Sequence, residues 1–345
     1  MANSVRSFQI CRGCCSIFRK RLVFNSCQHY VTVPNRVPFI SQAPKVSATN
    51  VRCCHNGGVK QKPWRPVAQT TIDEEEMEKF QMLSSLWWNE LGEFQALHTM
   101  NELRVPMIRD ALAEETFTST ALPLEGMQIL DAGCGGGLLT EPLARLGAQV
   151  IGVDMVKDNI KTAQAHLVDD PAIRGRVKYI QATVEDLVGS EEAKFDAVVA
   201  SEVVEHVGDL QSFLSSCCLL LKPGGSLFIT TINKTQLSRG LAVYAAEKLL
   251  RLVPEGTHDW EKFVPPDDLQ YLLENNGLTT RLIHGLLYNP LTCRWSWVKD
   301  TSMNYALHAV KGDNSLDDAD FSQTVEKESF DENDLQDGSK DDTKL

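Results

Sequence analysis

The sequence predicts an α/β protein: a mostly parallel, seven-stranded sheet with helices on both faces and an N-terminal helical cap. Three observations predict it. From Met127 onward, short apolar runs alternate with segments of helical spacing, as right-handed βαβ units require. The stretch ILDAGCGGG, Ile129 to Gly137, runs from an apolar strand into an acid and then into glycines at Gly133, Gly135 and Gly137. Downstream, VIGVD ends in Asp154, 23 residues after Asp131, close to the spacing of one βαβ half.

Order is expected to begin near Ile72. Asp73 followed by Glu74, Glu75 and Glu76 reads as a helix N-terminus with acids in its first turn. Met77, Phe80, Leu83 and Leu86 or Trp87 continue the helical spacing, and a second helix is expected over Leu103 to Ala113. Strands are expected at 127–132, 149–153, 176–181, 195–200 and 225–231, with helices at 137–146, 156–168 and 209–220. Two later apolar stretches, 279–287 and 303–310, would close the sheet, the last as an antiparallel edge. The organisation is therefore a leader and linker over 1–72, a folded domain over 73–311 (cap 73–120, insert 235–253) and an acidic tail over 312–345 that is too poor in apolar residues to fold.

Charge is distributed in blocks. Residues 1–72 contain no Asp or Glu but seven Arg and four Lys, the composition of a mitochondrial transit peptide. Lys311 to Leu345 carry twelve acids against four Lys. With a first block of +11 in a chain of net −12, the remainder stands at −23, which argues against nucleic acid as a partner. Six of the ten cysteines lie in the leader, and the remaining Cys134, Cys217, Cys218 and Cys293 do not suggest a disulfide scaffold. No uncharged apolar run reaches the 18 residues that would suggest a membrane span.

The glycine run is the first chemical motif. The dinucleotide pattern G-x-G-x-x-G fails on both frames, because Leu138 and Thr140 stand where its third glycine would be. Asp131 and the G-x-G-x-G run instead resemble motif I of class I S-adenosylmethionine (SAM) methyltransferases, with a Rossmann-like fold. Asp154 would accept two hydrogen bonds from ribose hydroxyls; the alternative is a plain helix cap before Met155. FDAVVASEVVEHV, from Phe195, and LKPGGSLFITT, from Leu221, complete four motifs in the order that class uses.

Other segments are more specific. SSLWWNELGEFQALHTMNELRVPMI from Ser84, VPEGTHDWEKFVPP from Val253, GLLYNP from Gly285 and NYALHAVK from Asn304 resemble the ubiquinone-biosynthesis O-methyltransferases. The resemblance covers residues 73–311. Asn89, Gln95, Ala96 and Glu102 depart from it, standing where that family more often has Asp, Lys, Pro and Pro. It implies methylation of 3,4-dihydroxy-5-polyprenylbenzoate and of demethylubiquinol, with SAM as donor. It further implies other enzymes of that pathway as partners, while a matrix-side, peripheral place on the inner mitochondrial membrane is expected from the apolar stripe between Leu241 and Leu252. By motif match Arg104 would meet the SAM carboxylate, Gly133 would pass close to the methionine moiety, and Ser201 would line the pocket. A surface ion pair is the alternative for Arg104. Trp87 and Trp88 are read either as a stack for the substrate ring or as core.

Glu202, Glu205 and His206 are the candidate metal ligands, with Glu205 and His206 also the candidate catalytic residues. On a helical turn, positions i, i+3 and i+4 share a face, and two carboxylates with an imidazole suit Mg2+, or Zn2+ or Mn2+. Such an ion would lower the phenol pKa and orient both catechol oxygens. Two alternatives stay open: His206 as a metal-free general base, or a structural role. Leu241, Ala245, Leu249 and Leu252 form an apolar stripe for peripheral membrane contact or for a lid. Two other functions compete, a SAM methyltransferase acting on another small phenol and a non-catalytic SAM-fold scaffold.

Overall fold

A computed structural model describes residues 71–113, 121–239 and 260–313, all within one unit spanning Gln61–Leu345. The expected leader, the stripe from Leu241 to Leu252 and the tail beyond residue 313 lie outside the described residues. In chain order come α1 (Glu74–Leu83), α2 (Gln95–Ala113), β1 (Gln128–Ala132), α3 (Thr140–Arg145), β2 (Gln149–Asp154), α4 (Lys157–Val168), β3 (Val177–Gln181) and β4 (Phe195–Ser201). There follow α5 (Leu210–Leu220), β5 (Leu221–Ile232), the single turn α6 (Gln236–Ser238), α7 (Pro266–Asn275), β6 (Leu278–Asn289), β7 (Arg294–Val298) and β8 (Asn304–Lys311).

These strands form one sheet in the order β3-β2-β1-β4-β5-β8-β6-β7, parallel from β3 to β5 and antiparallel beyond. Successive residues of the central strands enter opposite cores. Leu130, Val198, Leu227 and Ile229 join α5 and α7, while Ile129, Val199 and Phe228 join α3, α4 and the end of α2. A sheet buried on both faces has no need of polar alternation, which is why these strands read as continuous apolar runs.

The sheet has eight strands among the described residues rather than seven, and its antiparallel end is arranged differently from expectation. β8 is not the edge. It pairs with β5 from Ser226 to Ile232 and with β6 from Leu278 to Leu286. Tyr305, Ala306, Leu307 and Ala309 are fully buried there, the mark of an internal strand. The edge is β7, whose RWSWV pairs with the end of β6 and is half-buried or exposed throughout. An edge strand carrying Arg294 and exposed polar positions resists further pairing.

At the other end, Asp73 caps α1 as expected, its carboxylate accepting the Glu76 N–H at 3.3 Å. The second helix begins at Gln95, eight residues earlier than Leu103, and runs through Pro106. A small apolar cluster of Trp87, Phe94 and Leu138, packed by Phe80, Leu83 and Leu97, joins this cap to the helix that follows β1.

Candidate active site

The carboxyl ends of β1, β2, β4 and β5 open on a cavity of about 480 Å3, with the cap as its roof. Ligands in such sheets sit at this position, where the chain's crossovers change direction. Arg104, Gly133, Asp154, Ser201, Glu202, Glu205 and His206 all line it, so one cavity gathers every residue assigned from sequence.

The glycine loop is shaped by the protein packed against it. Gly135 has φ +53°, and a Cβ there would lie 2.4 Å from the Trp87 ring. Gly133 has φ +73°, and its Cβ would lie 2.6 Å from Val203 Cγ2. Both positions therefore need glycine for its left-handed backbone and for the neighbour it admits. Trp87 lies on this loop and stacks on Phe94 at 3.9 Å, while Trp88 stacks on His166 and donates from Nε1 to Gly136 O at 2.9 Å. Trp87 is thus buried core against the loop while also lining the cavity, and Trp88 packs half-buried beside it. Gly135→Val is expected to destabilise the fold by about 3 kcal/mol or more, from overpacking plus backbone strain. Chemical denaturation measures this, and a loss below about 0.5 kcal/mol would show that Trp87 does not hold the loop.

Arg104 is buried, at 4% exposure, which excludes the surface ion pair. Its Nη1 donates to Ser201 Oγ at 2.7 Å, its Nε to Asn101 Oδ1 at 2.6 Å and its Nη2 to Leu97 O at 3.3 Å. Ser201 is held from the other side by Thr230, hydroxyl to hydroxyl at 2.6 Å. Burial lowers the guanidinium pKa to about 10, opposed by the nearby charges of Glu202 and Asp131, so it is a cation at neutral pH. Asp131 is buried too, and desolvation raises it to about 6 against the hydrogen bond from Thr140 and the charge of Arg104.

Asp154, at the end of β2, accepts Gly135 N–H on Oδ2 at 2.9 Å and Val156 N–H on Oδ1 at 2.8 Å. The plain-cap alternative is not realised: the N-cap of α4 is Val156, without a side-chain cap bond, and Asp154 bonds the N–H of that residue ahead of the first turn. The bond to Gly135 goes further and ties the β2 acid to the β1 loop. Burial raises the Asp154 pKa, opposed by these hydrogen bonds and one from Asn159.

The segment after β4 departs from its expected conformation. Residues 204–206 form a turn, not a helix, and Glu202 has φ +56°, so the i, i+3, i+4 argument for a shared face does not apply. Left-handed backbone at a non-glycine residue is costly and concentrates at functional sites. Glu205 is buried and accepts Thr231 Oγ1 at 2.7 Å. His206 Nδ1 lies 2.9 Å from Glu76 Oε2 and its ring meets Phe80 edge-on. Among the described residues, no group of three His, Cys, Asp or Glu side chains is arranged to hold a metal ion. The donor types still suit one, and a ligand histidine commonly gives its other N–H to a carboxylate, as His206 can to Glu76.

Glu76 is the residue that sequence reading passed over as a site residue. It is 4% exposed, and Lys79 and Lys262 donate to its Oε1 at 3.1 and 3.3 Å. Burial alone would raise its pKa, but the hydrogen bond and charge of His206, with the two lysines, hold it down at about 2. An acid in a first helical turn reads from sequence as a dipole partner. Only the fold brings it to a histidine 130 positions away.

Residues 130–229 match a family described as a methyltransferase domain. The mitochondrial ubiquinone biosynthesis O-methyltransferase of Homo sapiens is 54% identical over 253 residues, 72% of this chain and 69% of that protein. The ubiquinone biosynthesis O-methyltransferase of Chelativorans sp. (strain BNC1) is 44% identical over 245 residues, 70% of this chain and 95% of that protein.

Proposed function

The chain belongs to the family of ubiquinone biosynthesis O-methyltransferases, with a class I SAM methyltransferase fold, and on that premise we propose what it methylates and how. The acceptors are the catechol hydroxyl of 3,4-dihydroxy-5-polyprenylbenzoate and the hydroxyl of demethylubiquinol. One observation carries the reading: a single cavity holds a fixed buried cation, Arg104, and a carboxylate–imidazole pair, Glu76 and His206.

SAM carries a carboxylate, a sulfonium and a ribose diol. Arg104 suits the first, since a guanidinium can meet a carboxylate with two parallel bonds. Gly133 lines the cavity where a methionine chain would pass, and Asp154 suits the ribose. Ser201 is held between Arg104 and Thr230 and forms the wall at the end of β4.

Methyl transfer needs the acceptor oxygen deprotonated and in line with the sulfonium carbon, and much of the rate comes from holding that line. Glu76 holds the His206 ring by Nδ1 at 2.9 Å, which suits an imidazole that must be kept in one orientation to take the acceptor's proton. Glu202, Glu205 and His206 would hold a divalent ion, Mg2+ or else Zn2+ or Mn2+, which when bound lowers the phenol pKa. The left-handed backbone of Glu202 and the contact of His206 Nδ1 with Glu76 support that reading. Labelled SAM with a short-chain dihydroxybenzoate tests it. Methyl transfer is expected, lost in EDTA and restored by Mg2+. Turnover that resists EDTA would leave His206 and Glu76 as a metal-free base, and no methyl transfer at all would overturn the reaction.

The acid-free, arginine-rich residues 1–72 and the mitochondrial relatives support a mitochondrial location. Among the described residues no helix is long and apolar enough to cross a membrane. Peripheral contact with the matrix face of the inner membrane, and association with other enzymes of the pathway, complete the proposal.

A further inference from the structure

Asn159 stands in the first turns of α4 at 1% exposure, where it joins two groups of opposite hydrogen-bonding character. Trp87 Nε1 donates to its Oδ1 at 2.8 Å, and its Nδ2 donates to Asp154 Oδ1 at 3.2 Å. An indole only donates and an ionised carboxylate only accepts. A carboxamide can pass a bond between them, and its orientation is thereby fixed.

With Gly135 and Val156, Asn159 is the third N–H donor on Asp154. A carboxylate has about four acceptor positions, so three donors leave it little freedom to turn. Two of the three are backbone groups that come with the fold. The third depends on a side chain held by the cap, because Trp87 lies between α1 and α2, stacked on Phe94 and seated over Gly135.

We infer that Trp87 and Asn159 are positioning residues for the methyl donor: they hold Asp154 in the orientation from which it takes a ribose hydroxyl. The inference rests on reading Asp154 as the ribose ligand. It makes donor affinity a property of the docked cap, the same cap that carries Glu76 to His206. Both ends of the reaction are then set by one element.

Calorimetric titration of the full chain with SAM tests this, using Trp87→Phe, Asn159→Leu and the double variant. Trp87→Phe keeps a ring against Phe94 and loses the N–H together with part of the ring surface over Gly135. It is expected to weaken binding about 5- to 10-fold, and Asn159→Leu about 30-fold, as for one hydrogen bond and for a buried partner removed. The double variant is expected to be no more than about twofold weaker than Asn159→Leu, because the two residues act through one bond path. The loss should fall on KM for SAM more than on kcat. Fully additive losses, unchanged affinity in Trp87→Phe, or a fall in kcat with KM unmoved would each overturn the inference. Should Asn159→Leu fail to melt cooperatively, the isosteric Asn159→Asp takes its place, with the same expectation of weakened binding. Wild-type protein that does not bind SAM would show instead that the site reading fails, before any variant is compared.

Discussion

Arg104→Met is expected to weaken SAM binding about 30- to 150-fold, the largest effect on the donor side. A hydrogen bond to a charged group contributes about 2–3 kcal/mol, and 1.4 kcal/mol is a factor of ten. The guanidinium is already dehydrated in the fold, at 4% exposure and with three of its bonds made to Ser201, Asn101 and Leu97. Its solvation cost is therefore met on folding and not at the moment of binding. Met keeps the length of the side chain and loses the charge. Arg104→Lys keeps a charge but not the planar fork, and is expected to recover only part of the affinity. Calorimetric titration with SAM reads both. A dissociation constant unchanged in Arg104→Met would remove this residue from the donor site.

The largest effect on rate is expected at the other end of the cavity. His206→Ala should lower kcat about 1000-fold with SAM affinity unchanged, whether the imidazole takes the proton itself or helps to hold an ion. Glu76→Gln should cost about 10- to 100-fold, the range for a partner that orients a functional histidine. A glutamine can still meet Nδ1, yet it withdraws the negative charge that favours the Nδ1–H tautomer. The order of the two losses matters: Glu76 works through His206, so the double variant should be no slower than His206→Ala. Initial rates with a short-chain dihydroxybenzoate measure all three. A His206→Ala variant that keeps more than about a tenth of the rate would place proton removal elsewhere.

Much of this architecture could be read from sequence because its signals are local. Period and length are enough for strands buried on both faces, such as β1 and β4, and an Asp before three Glu is enough for the cap of α1. Asp154 and Ser201 lie at the ends of such elements, so locating the element located the residue, whereas Arg104, midway along α2, is legible only by motif match. The failures share a different cause. NYALHAVK shows that β8 is a strand, but nothing within it shows which two strands it will join. RWSWV is short and mixed, and becomes a strand through its hairpin with β6. The spacing of Glu202, Glu205 and His206 suggests a helix, whereas the chain leaves β4 through a left-handed residue and a turn. Glu76 and the Trp87 ring find their partners across the fold, in contacts that no short window contains.

The position of β8 also constrains the order in which the chain can be assembled. β6 and β7 are made before it, but β6 has no direct bond to β5 and meets the parallel strands only through β8. A chain emerging from a ribosome or entering a compartment from its N-terminus therefore carries an incomplete sheet until residue 311 has followed. During that interval the apolar edge of β5, with Leu227, Phe228 and Ile229, has no neighbour to cover it. Unpaired strands of this kind are where newly made chains aggregate. A chain cut before Asn304 is therefore expected to lose the attachment of the β6–β7 hairpin as well as β8 itself.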